Sequence, residues 1–413
     1  MRCTIDEHLF CFKRYSNEDC FYLNIFSGIP SYITKLRFDV IIYHYTFTAM
    51  KWNTNEFKML LSSCSLLKKI AGHKIAIPQD EYVHSDIIND FLSDFGVKTV
   101  FTCLTETEYE KVYPKSKSGL ENLYTVNTGY IDEDAFRKIG TNSLPMHSVR
   151  PIDIGYRARK LPYWLGSHGL IKSELTKRFL KVSEDDEINI DASNDPQKAL
   201  IGTSWYKFLM NCRVVLGCEG GASIHDPAGI IKESVENYVR QHPNSTFGEV
   251  EKKCFAGMDG NLVLFALSPR HFECCITKTC QALIEGDYGG VLKPGIHYIE
   301  IKKDWSNIKE VLDKCKDMEY CEKIAEKAFN DIVLSGSFTY SEFVKFVLSK
   351  IDKAIVEEKD DFNNKHVFHI FKIHLTLLNI FEPLFISLLR IRKFFSRLKK
   401  FSLSLLNTAS LNF

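Results

Sequence analysis

The chain has 413 residues, of which 45% are hydrophobic and 25% charged, with a formal net charge of +1. That length and composition predict a globular protein of two or three domains with apolar material for more than one core. The near-neutral total excludes a global field that would gather nucleic acid, and no nucleic-acid partner is expected.

The first third alternates short apolar runs with helical spacing. Strands are predicted at Phe38–Tyr43, Lys74–Pro78, Lys98–Cys103 and Leu123–Val126. Helices are predicted over Phe57–Ile70 and over Ile87–Phe95, the latter closed by Gly96. A second series begins near residue 150. Its strands are Ile152–Tyr156, Ile188–Ile190, Arg213–Gly217, Leu262–Leu267 and Ala282–Ile284. Its helices are Leu170–Leu180, Phe272–Thr277, Ile308–Cys315, Tyr320–Ile332 and Tyr340–Ile355, with further helical segments over 229–254. Strand and helix in alternation specify parallel sheets. The expected fold is α/β, two Rossmann-like doubly wound domains with a C-terminal helical tail. Residues 1–148 form the first domain, 149–355 the second and 356–413 the tail. In such sheets ligands bind beyond the carboxyl ends of the strands.

Thirteen cysteines are scattered along the chain without a CxxC pair, and Met1–Arg14 include Asp6 and Glu7 but no apolar leader core. Reduced, mostly buried thiols in a cytoplasmic protein are expected, with no metal site.

Candidate chemistry sits in the loops. Gly217–Ser223 follows a strand; Gly220 and Gly221 let a ligand approach the backbone, and Glu219 suits sugar hydroxyls or a proton. The same stretch also reads as a tight turn with a solvated Glu219. Ser268–Glu273 opens a helix, with Ser268 as N-cap and Pro269 in the first helical position. A helix start offers N–H groups to a diphosphate, Arg270 adds a forked donor, and Glu273 can accept from a ribose diol. A capped helix with Glu273 in a capping role fits equally. Arg157 and Arg159, just past a strand, suit diphosphate or form a solvated basic turn. Asp80 and Glu81 suit acceptor hydroxyls or general-base work, or form a solvated acidic turn. His44 is a further candidate base, with a structural role as its alternative.

Taken together these stretches resemble the GT-B glycosyltransferases, in particular a bacterial group with a spore-maturation-protein-like glycosyltransferase domain. The resemblance is carried by Ser268–Glu273, Ala282–Gly286, His297–Ile299 and Asp304–Asn307. It extends to Gln79–Tyr82, Thr128–Tyr130, Arg150–Arg157, Leu161–Gly166 and Leu216–Ser223, over about residues 20–350. The resemblance implies transfer of a sugar from a nucleotide-sugar to a glycan or lipid-linked acceptor, in bacterial surface polysaccharide biosynthesis, with no cofactor and no protein-bound metal. It places Glu273 at the second glutamate of a Glu-x7-Glu signature, where the donor ribose is met. The first glutamate falls on Phe265, and Lys278 replaces a small residue near the helix end. Arg157, Arg159, Gly220, Gly221, Ser268, Arg270, Glu273 and Lys278 are thus the expected donor-binding residues. Glu219, Asp80, Glu81 and His44 are the expected catalytic ones.

The tail carries seven Lys/Arg against Glu382 between Lys372 and Lys400, leaving −5 on the remainder (+1 minus +6). Basic and aromatic residues interleave over 367–401 and suit an anionic membrane surface, with a helix on a partner subunit, including a second copy in a homo-oligomer, or a disordered end as the alternatives. The missing first glutamate leaves a second reading open: a catalytically silent GT-B-like subunit that binds nucleotide or glycan and partners another transferase.

Overall fold

The computed structural model describes residues 3–140, 144–183, 188–355 and 367–376. The predicted apolar runs become β1 (Arg37–His44), β2 (Ala71–Ile77), β3 (Thr99–Thr102) and β4 (Asn122–Thr125). The second series gives β5 (Ile152–Arg157), β6 (Ile190–Ser193), β7 (Cys212–Gly217), β8 (Gly220–Ala222), β9 (Leu264–Ala266), β10 (Cys280–Ile284) and β11 (Ile299–Ile301).

β1 to β4 form one sheet in chain order, with β2, β3 and β4 parallel. The second sheet has the order β11-β10-β7-β5-β6, all parallel. β6 lies outside β5, whereas β7 and its successors lie on the other side. The winding therefore reverses between β5 and β7, the switch point at which such sheets open a crevice. β8 and β9 form a separate antiparallel ribbon.

Both sheets are covered on both faces, as α/β sheets require. Helix Ser167–Ser183 lays Leu175 and Phe179 on one face of the second sheet, and Ile308–Lys316 and Met318–Ala328 continue that cover. Helix Thr203–Asn211 covers the other face with Trp205, Phe208 and Leu209. Gly155 makes that approach possible: a Cβ there would come within 2.3 Å of Cys212 Sγ and 2.9 Å of Phe208.

The first sheet borrows its cover from both ends of the chain. Helix Cys3–Tyr15 and helix Tyr340–Ile355 pack Cys11, Phe12, Phe343, Val344 and Val347 against Ile75, Ile77, Phe101 and Val126. Tyr340–Ile355, assigned by sequence to the second domain, thus completes the core of the first sheet. The boundary at 148/149 falls inside one compact unit, Met1–Cys20, Asp39–Met59 and His73–Glu358, which holds the second sheet and all of the first but the starts of β1 and β2. Backbone pairing ties them, with Asp226 N donating to Tyr82 O at 2.8 Å and His84 N to Asp226 O at 3.0 Å.

A smaller unit comprises Phe21–Phe38, Leu60–Gly72 and Lys359–Phe413. Within it residues 367–376 are helical, and Phe371 sets its ring 5.6 Å from those of Phe21 and Phe38. Phe371 and Leu375 are buried, so this part of the stretch read as a membrane face packs on its own chain. Residues 377–401, with the whole Arg390–Lys400 basic cluster, lie outside the described residues. Among the described residues no helix is long and apolar enough to cross a membrane. The described cysteines are free thiols, most of them buried.

Candidate functional site at the switch point

The helix Pro269–Ile276, which follows β9, starts beside the carboxyl ends of β5 and β7, where such sheets open a crevice: a Cβ on Gly217 would come within 3.2 Å of the His271 ring. Arg270 lies there with its guanidinium carbon 5.0 Å from the Trp205 ring centre and 5.8 Å from that of Tyr156. Among the described residues, no hydrogen bond or ion pair holds that guanidinium. Contact through the ring faces leaves its in-plane N–H fork open. Lys172, in helix Ser167–Ser183, shares the field: burial pushes its pKa down, and the Arg270 charge adds to that. Its ammonium also has no hydrogen-bond or ion-pair partner among the described residues. Two cations without a hydrogen-bond or ion-pair partner among the described residues make this end of the helix a candidate anion site, with the Glu273 carboxylate beside Arg270.

Glu273 is half-buried on the same helix. Its Oε2 accepts from Trp205 Nε1 at 2.7 Å, while Oε1 is left open. Burial raises its pKa, and the Trp205 bond and Arg270 oppose the shift. Ser268 takes the N-cap backbone conformation, but its hydroxyl makes no capping bond. That corrects the expected side-chain cap: the first helical residue is Pro269, without an N–H, and His271 N is met by Ser268 O at 3.0 Å. Loops of the first sheet close over this start. Thr128 Oγ1 donates to Leu267 O at 2.6 Å, and Gln79 Nε2 donates to Thr128 O at 2.9 Å.

Several expected donor residues stand elsewhere or are engaged. Arg157 donates to Asp191 Oδ2 at 2.6 Å and to Asp191 O at 2.8 Å, and lies over the Phe208 ring at 4.5 Å. Its guanidinium is held by β6, not by the crevice. Arg159 is exposed two residues on. Lys278 sits at the opposite end of the eight-residue helix, ion-paired to Glu326 at 2.7 Å and over Phe329. Eight residues span ~12 Å, so it adds no charge at the Arg270 end. Gly220 and Gly221 belong to the β8–β9 ribbon. A Cβ on Gly221, at φ +110°, would meet Leu264 O at 1.8 Å, so that glycine answers strand pairing and not a phosphate. Phe265, where the resemblance would place a glutamate, stacks on His168 at 4.0 Å.

The expected catalytic groups divide sharply. Glu219 is buried, and its Oε1 accepts from Tyr288 N at 2.7 Å, fixing the loop after β10 at a residue with φ +49°. Burial raises its pKa. Glu81 is sealed in the first-sheet core. It accepts from Thr102 Oγ1, from Tyr113 OH at 2.7 Å and from Cys103 N at 3.1 Å. With its oxygens engaged and no solvent access, it is no acceptor base. His44 Nε2 pairs with His8 Nδ1 at 2.9 Å, and its Nδ1 caps Thr46 N at 3.2 Å. Burial, aided by His8, pushes its pKa down to about 2, so it stays neutral inside the fold. Asp80 is the exposed member of this set, at φ +55°. Its carbonyl accepts from buried Lys51 Nζ at 2.6 Å, a lysine whose pKa burial lowers to about 8.

Sequence reasoning missed Lys172, Trp205, Glu7 and an aromatic cluster. Lys172 precedes Leu175, Thr176 and Phe179 by three, four and seven residues, so it occupies the buried stripe of its helix. A lysine on an apolar stripe was the available signal. Trp205, Phe208 and Leu209 carry the same spacing. Trp52, Tyr82 and Trp164 have ring centres 6.0–6.3 Å apart, Trp52 being 37% exposed. Glu7 feels burial first, then Asp132 and Glu273, which together raise its carboxyl pKa to about 7.

No family model and no curated protein matches the chain. Among solved structures it is similar to TarM, at 11% identity over 76% of this chain and 54% of that one, with a TM-score of 0.41. It is also similar to Anabaena Alr3699/HepE in complex with UDP-glucose, at 10% identity, 76% and 79% coverage and a TM-score of 0.40. A third is the pneumococcal O-GlcNAc transferase GtfA in complex with UDP and GlcNAc, at 10% identity, 76% and 60% coverage and a TM-score of 0.36. The chain spans about half the length of TarM. These likenesses are distant, and the functional reading stands on the site's own geometry.

Proposed function

We propose that this chain is a glycosyltransferase that moves a sugar from a nucleotide-sugar to a glycan or glycolipid acceptor. The observation that carries this is Arg270 beside Glu273 at the β5/β7 switch point, with Lys172 in the field of Arg270 and neither cation hydrogen-bonded or ion-paired among the described residues. Arg270 offers a fork to the leaving diphosphate, and Lys172 adds a point charge. Both act on charge that grows as the glycosidic bond breaks, so they favour the transition state over the bound donor. The open Glu273 Oε1 suits the ribose hydroxyls. On the facing loops, Asp80 is the exposed carboxylate for an acceptor hydroxyl, and the exposed Trp52 offers a ring face near it.

The basic run Arg390–Lys400 supports an acceptor carried on an anionic membrane. Cosedimentation with anionic vesicles, lost on truncation after residue 360, checks that part.

A thermal-shift screen of UDP, GDP and ADP with their sugar conjugates tests the donor site. At least one raises the melting temperature of the wild type, and Arg270→Ala abolishes the shift. Stabilisation by none of them would reject the assignment. Binding without transfer to any added glycan would favour the silent-subunit reading, because Glu81 and His44 are sealed from substrate.

A further inference from the structure

Trp205 touches both groups on which the donor site depends. Its indole N–H donates to Glu273 Oε2 at 2.7 Å, and its ring face lies 5.0 Å from the Arg270 guanidinium carbon. Its place is fixed from behind. Phe208 stacks on it with ring centres 5.7 Å apart, Arg157 covers Phe208 at 4.5 Å, and Asp191 holds Arg157 at 2.6 Å. Trp205 is 8% exposed, so a ligand in the crevice meets Glu273 and Arg270 before it meets the indole.

Each contact has a directional consequence. A carboxylate bound through one oxygen to a rigid N–H keeps one orientation and presents its second oxygen. A guanidinium resting on a π face keeps its plane, and its N–H donors stay at the open edge. Preorganisation of this kind removes ordering entropy that binding would otherwise have to overcome.

We propose that Trp205 is the positioning residue of the donor site. Its N–H aims the carboxylate that receives the ribose, and its ring face aims the guanidinium that receives the diphosphate. This rests on the donor-site reading above, and the two fail separately. A wild type that binds no nucleoside diphosphate sinks that reading, whereas the proposal concerns how Trp205 variants divide the binding.

The test titrates the full chain with two probes by calorimetry: whichever of UDP, GDP or ADP gave the largest thermal shift, and inorganic pyrophosphate. Trp205→Phe removes the N–H and keeps an aromatic face. Its nucleoside diphosphate affinity falls about tenfold, while pyrophosphate affinity changes less than about twofold. Trp205→Leu removes both contacts, and pyrophosphate weakens by about fivefold as well. A purely structural tryptophan would weaken the two probes in parallel. Equal losses in Trp205→Phe, or none, overturn the proposal; unchanged pyrophosphate binding in Trp205→Leu overturns its guanidinium half. A measurement that needs no Trp205 variant keeps the idea falsifiable if the variants do not fold. In the ¹⁵N-labelled wild type, the Trp205 indole resonance, assigned by elimination with Trp52→Phe, Trp164→Phe and Trp305→Phe, shifts on saturation with the nucleoside diphosphate. A resonance that stays fixed contradicts the proposal.

Discussion

The loops of the first sheet and those of the second use buried charge in opposite ways. Beyond β2, Lys51 meets the carbonyls of Gln79 and Asp80, Glu81 accepts three hydrogen bonds, and His44 lies against His8. These groups hold backbone, including the left-handed Asp80. Beyond β5 and β9, Lys172 and Arg270 sit half-buried with no hydrogen-bond or ion-pair partner among the described residues, although Arg270 feels Glu273 and Lys172 feels Asp80. A charge with every partner present is scaffold, while a charge left unpaired inside the fold waits for a ligand.

The sharpest way to break that contrast is to remove one member from each side. Glu81→Ala leaves Tyr113, Thr102 and the Cys103 amide without an acceptor in the core, and should lower stability by roughly 3 kcal/mol in denaturant melts. Nucleotide affinity of the folded fraction should hold. Lys172→Met should do the reverse. It weakens nucleoside diphosphate binding about tenfold by calorimetry and leaves the melting temperature level or slightly higher, because an uncompensated cation is gone. Equal stability losses in the two variants would erase the distinction.

The smallest effect concerns Glu7. Burial, with Asp132 and Glu273 nearby, raises its carboxyl pKa to about 7, well above the ordinary glutamate value, so the folded state holds that proton more tightly. The ionised form therefore weighs against folding, a penalty absent below about pH 4.5 and complete above about pH 7. Glu7→Gln should melt with the wild type at pH 4 and about a degree or two higher at pH 8. A larger gain at pH 4 than at pH 8 would contradict the sign.

Much of the fold was legible because strand and helix signals are local. The helix Ser85–Phe95 ends where Gly96 enters the left-handed region at φ +69° and its N–H meets Leu92 O. The switch point was not legible, since strand order depends on pairings the chain does not spell out. Site calls went astray for the same reason. Arg157 meets Asp191 34 residues away, and Lys278 meets Glu326 48 residues away. Residue type identified cations able to bind phosphate, but their counter-ions decided which remain free. Gly221 likewise looked like a ligand loop until β9 came beside it. Arg270 and Glu273 share one helix with their N-cap, a local grouping that the sequence spells out.

The proposed function rests on Lys172 and Arg270 acting together to bind the donor diphosphate. Calorimetric titration of the wild type and the Lys172→Met/Arg270→Ala double variant with the nucleoside diphosphate of the thermal screen measures it directly. The account predicts binding in the wild type and a loss of at least a hundredfold in a double variant that melts no lower. Equal affinity in the two proteins would contradict it.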